Sequence, residues 1–552
     1  MNMGDDICGA ILNDLHRGLK QWKAQIGLWF SQQDADMIHA WIQAVLARAE
    51  RSTAGQTFQT GVSLDPTEDD MKRLAYIQRH FVISTIDKAA NNFCIMCKKH
   101  YLQVCLNELR QGVAYEPAVN VTENDLIQDG KSFCEEHEIR LPNKVAKVPN
   151  FRIGVKLHKE PVGFRFVAGS PNAPLTSVSK WLTLAFKAIM PDIDEQWARV
   201  VDSIPCLRQK TRKSWIIHDS KEVKTLLERC NSTRGRRTPN VHLATYDFTS
   251  MYTTLPLRDL KERLGNLLDS VYQHKLQTSR ARILMLKQDG TFEWIAAGRR
   301  SETDREMMMS LDKFKSMLNK LVDNTYLKFG GELWHQTVGI PMGTNCAGYI
   351  ANLYCFTYEI EFLRRTVNEG NYDLAKQLLR VQRYIDDLLC IGIPCFDSIR
   401  YLPEGIYPKD SLELNMADEG MRVPYMDIFI RQNRRRGLIA SIYDKRLEKK
   451  YCNIQVIRYP DPTSVLANKT KYGILTSQMH RFARRCSLRS DFVYNVSLVV
   501  HRMQSKGYQK RGIWSYVRRF VQQYGSTLYD RAHTGVWIAR FARKLSELEH
   551  GK

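Results

Sequence analysis

The segment RYIDDLLCIG (residues 383–392) carries two adjacent acidic residues, Asp386 and Asp387, inside an otherwise apolar run of strand-forming residues. Apolar flanks predict burial, and adjacent buried carboxylates repel each other unless a cation neutralises them. A tight strand–turn–strand that presents Asp386 to a divalent metal ion meets both conditions. The alternative is an Asp-Asp turn that faces water, because Asp is common at hairpin tips.

A second acidic residue has a similar setting upstream. In VHLATYDFTSMYTTLP (residues 241–256) an apolar strand leads to Asp247. Asp247 lies 139 positions before Asp386, so the two can meet only across neighbouring strands. Two such carboxylates can hold a pair of Mg²⁺ ions about 3.5–4 Å apart for phosphoryl transfer. Oxygen ligands suit Mg²⁺, which keeps water molecules and binds substrate phosphates.

The segment between these acids, HQTVGIPMGTNCAGYIANLYCFTYE (residues 335–359), begins with closely spaced glycines and becomes helical from Ala347 onward. Gly339 and Gly343 flank a proline, so this part cannot form a continuous helix. A glycine-rich loop lets another backbone approach closely, which suits a floor beneath a base pair. An ordinary strand-to-helix connection is the alternative.

A basic hairpin is predicted further upstream. FRIGVKLHKEPVGFRFVAGSPNAPLTSVSKWLT (residues 151–183) places Lys156, Lys159 and Arg165 around a Pro-Val-Gly turn. Three cations on one hairpin can bind a triphosphate, with Arg bidentate and Lys as a point charge. The alternative is a solvated basic hairpin.

These segments, in this order, resemble the motifs of reverse transcriptases, and most of all those of Penelope-like retroelements, which are related to telomerase. YIDD resembles the Tyr-x-Asp-Asp box, DFTSMY the strand that bears the first catalytic acid, and GIPMG the glycine loop before its helix. FRFVAGS resembles the fingers motif with its Arg, and IDKAANNFCIMCKKHY (residues 86–101) resembles another fingers segment. The resemblance covers roughly residues 80–490.

The resemblance implies a two-metal catalytic site. Asp247 and Asp386 match the two metal ligands, Asp387 matches an assisting catalytic acid, and Phe248 would contribute its backbone carbonyl to one metal. The implied cofactor is a pair of Mg²⁺ ions, which Mn²⁺ can replace.

The resemblance also implies a nucleotide site. Tyr252 lies five positions after Asp247, where the family places an aromatic steric gate against the 2′-OH of ribonucleotides. Met342 stands where the family often carries Gln, which puts a Gln-mediated contact in doubt but leaves the metal chemistry intact. The implied nucleotide-binding residues are Lys156, Lys159, Arg165, Tyr252 and Gly343.

The positive charge of the chain is concentrated near its carboxyl end. The 552 residues include 81 Lys/Arg and 59 Asp/Glu, a net charge of +22. Residues 431–552 alone carry 26 Lys/Arg and 7 Asp/Glu, which leaves the rest nearly neutral. This distribution predicts a polyanion-binding module. Four arginines are predicted to lie on one helical face there and to bind nucleic acid, the alternative being a solvated face: Arg481, Arg484, Arg485 and Arg489.

Composition excludes several other classes of protein. With 43% hydrophobic and 25% charged residues the chain is globular. Its apolar runs fall short of the ~18 residues of a membrane span, and its acidic N-terminus lacks an apolar signal segment. The 13 Cys show no repeating pattern, as in a reducing compartment. We therefore expect an intracellular protein without membrane partners, and the retroelement resemblance implies a nuclear one.

The predicted fold is an α+β right-hand polymerase. Residues 1–75 form an N-terminal helical extension, residues 76–430 the fingers and an antiparallel-sheet palm, and residues 431–552 a primer-grip hairpin and a basic helical thumb. The fingers lie mainly in 76–235 and the palm mainly in 236–430. Hairpin turns are predicted at Asp289-Gly290, at Gly330-Gly331 and at NRRRG (residues 433–437).

The predicted reaction is template-directed addition of deoxynucleotides to a primer 3′-OH. The expected partners are an RNA template, a DNA or RNA primer and dNTPs. No GIY-YIG nuclease constellation is found, so a separate nuclease is a further expected partner. Two alternatives remain open. An RNA-dependent RNA polymerase tends to show Gly-Asp-Asp and a polar residue where Tyr252 stands, and a non-catalytic RNA-binding protein would have no need to confine acids in apolar strands.

Overall fold

The computed structural model describes most of the chain beyond residue 66. The described residues are 67–89, 92–141, 146–157, 159–169, 172–205, 207, 213–232, 241–296, 305–433, 435–449 and 458–550. The helices expected before residue 67 therefore lie outside the described part. The chain divides into two compact units after Arg79.

Helix α1 (Glu68–His80) carries the described residues of the first unit. A capping box starts it: the Asp70 amide donates to the Thr67 hydroxyl at 3.2 Å, and the Thr67 amide donates to the Asp70 carboxylate at 3.0 Å.

The second unit mixes helices and strands. Its helices are α2 (Lys98–Gln111), α3 (Glu123–Glu136), α4 (Thr176–Asp202), α5 (Lys221–Ser232), α6 (Met251–Thr254), α7 (Leu257–Ser279), α8 (Leu311–Asp323), α9 (Ala347–Asn368), α10 (Tyr372–Leu378), α11 (Asn468–Arg485), α12 (Arg489–Ser505), α13 (Lys510–Tyr524) and α14 (Thr534–Glu549). None of the described helices combines the length and apolar character that crossing a membrane requires.

The strands are β1 (Phe81–Thr85), β2 (Phe93–Cys97), β3 (Tyr115–Pro117), β4 (Phe151–Lys156), β5 (Gly163–Ala168), β6 (Leu243–Phe248), β7 (Ile283–Lys287), β8 (Phe292–Ile295), β9 (Glu306–Ser310), β10 (Tyr326–Phe329), β11 (Glu332–Gln336), β12 (Val381–Tyr384), β13 (Asp387–Ile391), β14 (Leu414–Gly420), β15 (Arg422–Tyr425), β16 (Ile428–Asn433) and β17 (Gly437–Ile442). The three predicted hairpins are confirmed as the pairs β7–β8, β10–β11 and β16–β17.

A four-stranded antiparallel sheet in the order β12-β13-β6-β14 lies at the centre of this unit. Side chains of a strand alternate between the two faces of a sheet. Accordingly, Leu388 and Cys390 join the core that includes helices α4, α7 and α9, whereas Leu389 and Ile391 pack with α5 and the sheet β15-β16-β17. The apolar run after Asp387 is therefore buried on both faces, as its composition predicts.

The basic C-terminal region forms a helical bundle with a hydrophobic core of its own. Helices α11 to α14 share buried residues such as Met479, Phe492, Val517 and Trp537. The predicted border at residue 430 falls inside strand β16, because the hairpin β16–β17 continues the sheet that β15 begins.

Candidate active site

The two acidic segments meet at the ends of neighbouring strands. In the antiparallel pair β6–β13, Asp247 lies directly opposite Asp387. Asp386 precedes Asp387 in the two-residue turn that joins β12 to β13, where Tyr384 pairs with Asp387. The predicted strand–turn–strand around Asp386 is thus confirmed, and so is the predicted meeting of the two acidic segments across neighbouring strands.

Backbone hydrogen bonds fix this arrangement. The Phe248 amide donates to the Asp386 carbonyl at 3.1 Å, which joins the end of β6 to the turn. The buried Tyr425 hydroxyl donates to the Asp387 carbonyl at 3.2 Å. Ile385 has a φ of +53°, which is rare for a β-branched residue and costs roughly 1–3 kcal/mol. Surrounding contacts therefore hold the acidic turn in a shape that the local sequence does not favour.

The surroundings of Asp247 and Asp387 disfavour the charged form of each carboxylate. Burial in the cleft, followed by the charge of Asp386, raises the pKa of Asp247. Burial is also the main cause that raises the pKa of Asp387 to about 6, and the charges of Asp386 and Asp247 add to it. Although Asp247 is exposed to solvent, its partial desolvation and the charge of Asp386 favour neutralisation by a proton or a metal ion.

The donor set fits Mg²⁺ held partly by water and substrate. Within the described ranges, no three His, Cys, Asp or Glu side chains are gathered as a protein-only metal cluster. Mg²⁺ needs no such cluster, because it retains several waters and is usually bound through one or two carboxylates plus substrate phosphates. Asp247 and Asp386 supply carboxylates at adjoining strand ends, and Phe248 follows with its backbone carbonyl.

The predicted basic hairpin is confirmed as β4–β5, and its lysines Lys156 and Lys159 lie near Asp247. Burial, followed by the charge of Arg165, lowers the pKa of Lys156, and the charge of Asp247 opposes this effect. Lys159 is among the charges that lower the pKa of Asp247. Arg165 Nε lies 3.6 Å from Asp87 Oδ1, so a carboxylate other than Asp247, Asp386 and Asp387 orients this guanidinium.

Two further lysines reach the acids and were missed by sequence reasoning. Lys445, just after β17, and Lys88, just after β1, both lower the pKa of Asp247 and Asp387. Desolvation, followed by the charge of Lys445, lowers the pKa of Lys88. Lys88 lies inside IDKAANNFCIMCKKHY (residues 86–101), and the resemblance of this segment to a fingers segment could have identified Lys88 as a site residue. Nothing in the local sequence distinguishes Lys445 from the basic residues around it.

Tyr252 stands beside the acids on the short helix α6. Burial, followed by the charge of Asp386, raises its pKa to about 12, so its hydroxyl stays neutral near pH 7. The glycine loop packs on its backbone: the Ile340 amide donates to the Tyr252 carbonyl at 2.7 Å. A Cβ at Gly339, where φ is +80°, would lie 2.4 Å from that carbonyl oxygen. This glycine is therefore required by the close approach of two backbones.

Gly343 connects the same loop to the basic hairpin. Its φ is +130°, and a Cβ there would lie 3.0 Å from the Ala168 carbonyl oxygen at the end of β5. Helix α9 begins at Ala347, as the sequence predicts. The structure therefore brings Gly343, Tyr252 and the β4–β5 hairpin together around the acidic turn.

The four predicted nucleic-acid-binding arginines do not form one helical face. Helix α11 ends at Arg485 and Arg489 opens α12, so the predicted placement on one helical face is wrong for Arg489. Between the helices the Ser487 amide donates to the Ala440 carbonyl at 2.8 Å, and this bond to β17 interrupts the helix. Arg489 instead forms an ion pair with Asp530.

Two of the remaining arginines are engaged inside the protein. Arg481 Nη2 lies 2.8 Å from Asp427 Oδ2. Arg485 lies 3.0 Å from both Asp427 and Asp219. Of the four, Arg484 alone forms no ion pair with any residue that the structure describes, and its side chain is exposed. The cluster of Asp427, Arg481 and Arg485 is called the thumb clasp below.

Comparison with known family models gave no match, and comparison with curated proteins gave none. Among solved structures, telomerase from Candida albicans in complex with a fragment of telomeric RNA is similar, with 10% identity and a TM-score of 0.53. The match covers 94% of this chain and 76% of that one. Telomerase from Candida tropicalis matches with 10% identity and a TM-score of 0.41, covering 86% of this chain and 72% of that one.

The RNA-dependent RNA polymerase of a human picobirnavirus matches with 11% identity and a TM-score of 0.37, covering 94% of this chain and 91% of that one. At such low identity, the likeness to the Candida albicans structure shows the fold. The chain has an α+β polymerase fold, as the sequence predicts.

Proposed function

We propose that the chain is a nucleotidyltransferase, and specifically an RNA-directed DNA polymerase that extends a primer 3′-OH with dNTPs. The observation that carries the proposal is the placement of Asp247 directly opposite Asp387, with Asp386 in the adjoining turn. Acids at this position on a central antiparallel sheet, faced by a basic hairpin, suit phosphoryl transfer to a nucleic-acid end.

Asp247 and Asp386 would hold a pair of Mg²⁺ ions, with Asp387 assisting and the Phe248 carbonyl as a further ligand. Bound there, Mg²⁺ (or Mn²⁺) would activate the primer hydroxyl and neutralise charge on the triphosphate and the pyrophosphate. The electrostatics of Asp247 and Asp387 support this assignment, because burial and neighbouring carboxylates raise the pKa of each, and a cation relieves both effects.

The cations around the acids would bind the incoming triphosphate. Arg165 is oriented by Asp87 and can bind phosphate oxygens through two N–H groups. Lys156, Lys159 and Lys88 lie within electrostatic range of Asp247, so they surround the place where the phosphates would sit. They hold the nucleotide in line with the primer and exclude bulk water, which lowers the barrier chiefly through positioning.

Tyr252 would select the sugar. Its ring follows the strand that bears Asp247, and its neutral hydroxyl lies near Asp386 and Gly348. A ring against C2′ leaves no room for a 2′-OH. We expect Tyr252→Ala to raise rNTP incorporation relative to dNTP by about 10²-fold, the scale of discrimination by steric fit. Preference of the wild type for rNTPs would instead identify an RNA-dependent RNA polymerase.

The basic C-terminal bundle would hold the template–primer duplex. Residues 431–552 supply most of the net charge, and binding through phosphates is tolerant of sequence and weakens steeply with salt. The Candida albicans telomerase was solved with RNA, which supports an RNA partner for this fold. The resemblance to Penelope-like elements leads us to propose a retroelement origin, a nuclear site of action and a nuclease acting in trans.

Primer extension on an RNA template tests the proposal. We expect the wild type to extend the primer with dNTPs and Asp386→Ala to lose at least about 10³-fold in rate. Asp373→Ala, at a carboxylate that is 94% exposed on helix α10, is the matched control and should behave as wild type. Equal extension by wild type and Asp386→Ala would remove the site assignment. RNA binding without extension by any variant would identify a non-catalytic RNA-binding protein.

A further inference from the structure

Arg383 is fully buried three residues before Asp386. Its side chain and that of Glu359 are both 0% exposed, and Nε donates to Glu359 Oε1 at 2.5 Å. Glu359 also accepts a hydrogen bond from the buried Tyr407 hydroxyl at 2.8 Å. A guanidinium in such a place is costly unless each of its donors finds an acceptor.

All five N–H donors of Arg383 have an acceptor. Besides the Nε bond, Nη2 donates to Glu359 Oε2 at 3.2 Å and to the Asn352 carbonyl at 3.0 Å. Nη1 donates to Asn352 Oδ1 at 2.7 Å and to the Ile385 carbonyl at 3.1 Å. The planar fork of an arginine is needed for this set, because a lysine ammonium cannot reach all of these acceptors at once.

The bond to the Ile385 carbonyl acts on the turn itself. Ile385 has a φ of +53°, a conformation that β-branched residues rarely adopt. Its carbonyl belongs to the peptide group that leads into Asp386, so holding that carbonyl fixes the plane from which the Asp386 side chain departs. Arg383 itself is anchored on the other side, where its amide donates to the Trp215 carbonyl at 2.7 Å.

The other acceptors belong to helix α9, which follows the glycine loop. Asn352 and Glu359 are seven residues apart, so they lie on the same face of that helix. Arg383 therefore joins two parts of the site, the acidic turn and the helix that begins just after Gly343. Burial of an ion pair adds little stability compared with apolar packing, so stability alone does not account for this arrangement.

We propose that Arg383 is a positioning residue that sets the orientation of the Asp386 turn for metal binding by tying the turn to helix α9. This inference rests on the proposed function for its catalytic consequence, whereas metal affinity reports on it directly. Groups that orient the ligands of a metal typically change affinity or activity by about 10–100-fold when they are removed.

Two variants separate positioning from folding. Arg383→Lys keeps the ion pair with Glu359 but loses the fork. Arg383→Met combined with Glu359→Gln removes the fork without leaving an unpaired buried charge, and the amide carbonyl introduced by the second substitution can still accept from Tyr407. Tyr354→Phe is the matched control, because it removes a partly buried hydrogen bond of helix α9, at 2.6 Å to Asp259, that does not reach the turn.

The first measurement is Mn²⁺ affinity by electron paramagnetic resonance, together with thermal melting. We expect the wild type and Tyr354→Phe to bind Mn²⁺ alike and Asp386→Ala to lose binding. Arg383→Lys and the double variant should remain folded and bind about 10-fold more weakly. Unchanged Mn²⁺ affinity in a folded Arg383 variant would overturn the inference. If the double variant does not fold, the Mn²⁺ affinity of Arg383→Lys alone tests the inference.

The second measurement is single-nucleotide incorporation. We expect kcat of the Arg383 variants to fall by about 10–100-fold, with KM for the dNTP changed less than about threefold. If the wild type binds Mn²⁺ but incorporates no nucleotide, the proposed function fails, and weaker Mn²⁺ binding by the variants still supports the inference. If the wild type incorporates nucleotides and the variants match it in both measurements, the inference fails and the proposed function stands. If the wild type neither binds Mn²⁺ nor incorporates nucleotides, both the inference and the proposed function fail.

Discussion

Asp247 and Asp387 face each other directly across the antiparallel strands β6 and β13. Directly opposed carboxylates on one face of a sheet are destabilising, since like charges repel at this range. Asp387 is half-buried between the apolar cores on the two sides of the sheet, so water screens its charge only in part, whereas Asp247 is exposed. The arrangement is therefore costly for the protein, and the charges of Lys445 and Lys88 offset it only in part, because the pKa of both acids stays raised. Acids perturbed in this way are typical of functional sites.

The first prediction concerns the pH dependence of stability without metal. The pKa of Asp387 is raised from 3.8 to about 6 in the folded protein. The folded state then binds more protons than the unfolded state between these values, so stability falls as pH rises through this range. Above about pH 6 we expect Asp387→Asn to be more stable than wild type by roughly 1–2 kcal/mol. Below about pH 4 the difference should vanish.

Urea unfolding in EDTA at several pH values measures this difference. Asp427→Asn is the control, because the pKa of Asp427 is shifted in the opposite direction to that of Asp387. Burial would raise the pKa of Asp427, but the hydrogen bond from Ser220 and the charges of Arg481 and Arg485 outweigh it and lower the pKa. That variant should be less stable than wild type at pH 7. A loss of stability in Asp387→Asn at pH 7 would contradict the assignment.

The second prediction concerns the glycine loop. Gly339→Ala places a Cβ 2.4 Å from the Tyr252 carbonyl oxygen at a φ of +80°. We expect a destabilisation of about 3 kcal/mol or more, because both the clash and the backbone conformation oppose alanine. Thermal unfolding followed by circular dichroism measures it.

The matched control is Gly473→Ala, in the interior of helix α11. No heavy atom lies within 4 Å of a Cβ built there, so alanine should stabilise the helix by about 0.5–1 kcal/mol. Equal stability of the two variants would show that the loop can move away from Tyr252.

The local sequence predicts where the acidic strand–turn–strand lies, although not the positive φ of Ile385 within it. Apolar residues precede Asp247 in β6 and follow Asp387 in β13, and these two strands pair with each other in the middle of the sheet. The Gly330-Gly331 turn could also be predicted, because glycine readily adopts the positive φ that a two-residue hairpin needs, and both glycines adopt it in the structure.

Long-range partners could not be predicted in the same way. Helical periodicity places Arg481 and Arg485 on one face, but it does not show that Asp427 and Asp219 cover them. The end of α11 was missed because no Gly or Pro precedes Arg489, and the interruption comes from a bond between Ser487 and strand β17. Arg383 shows the same limit, since its acceptors lie on a helix 24 and 31 positions away.

The third prediction concerns the thumb clasp. Asp427 accepts a hydrogen bond from the Ser220 hydroxyl. It also accepts one from Arg481 Nε at 2.8 Å, and Arg485 Nε lies 3.0 Å from the same carboxylate. Asp427→Asn removes the charge that two arginines share, so we expect a loss of roughly 1–3 kcal/mol at pH 7. Because the folded pKa is lowered, the difference from wild type should shrink as pH falls below about 4.

Urea unfolding of the single and double variants measures the coupling free energy between residues of this cluster. The double variant Asp427→Asn with Arg481→Gln should lose less than the sum of the single losses, because the two side chains share one interaction. Additive losses would mean that the ion pair contributes nothing measurable.

The last prediction separates the arginines of helix α11 by their role in binding nucleic acid. Arg484 is exposed and, among the described residues, has no ion pair, so its guanidinium is available to a phosphate. We expect Arg484→Ala to lower the slope of log K against log salt by about 0.7–1, as loss of one phosphate contact does. Arg481→Ala should leave the slope nearly unchanged but lower the melting temperature, because Arg481 is held by Asp427.

Fluorescence anisotropy with a labelled RNA–DNA duplex at several salt concentrations measures both slopes. Arg489→Ala is a further comparison, because Arg489 pairs with Asp530, which is not part of the thumb clasp. If Arg481→Ala lowers the slope as much as Arg484→Ala, nucleic acid must draw Arg481 away from Asp427. The clasp would then open on binding instead of holding the thumb in place, and Asp427→Asn would be expected to strengthen binding.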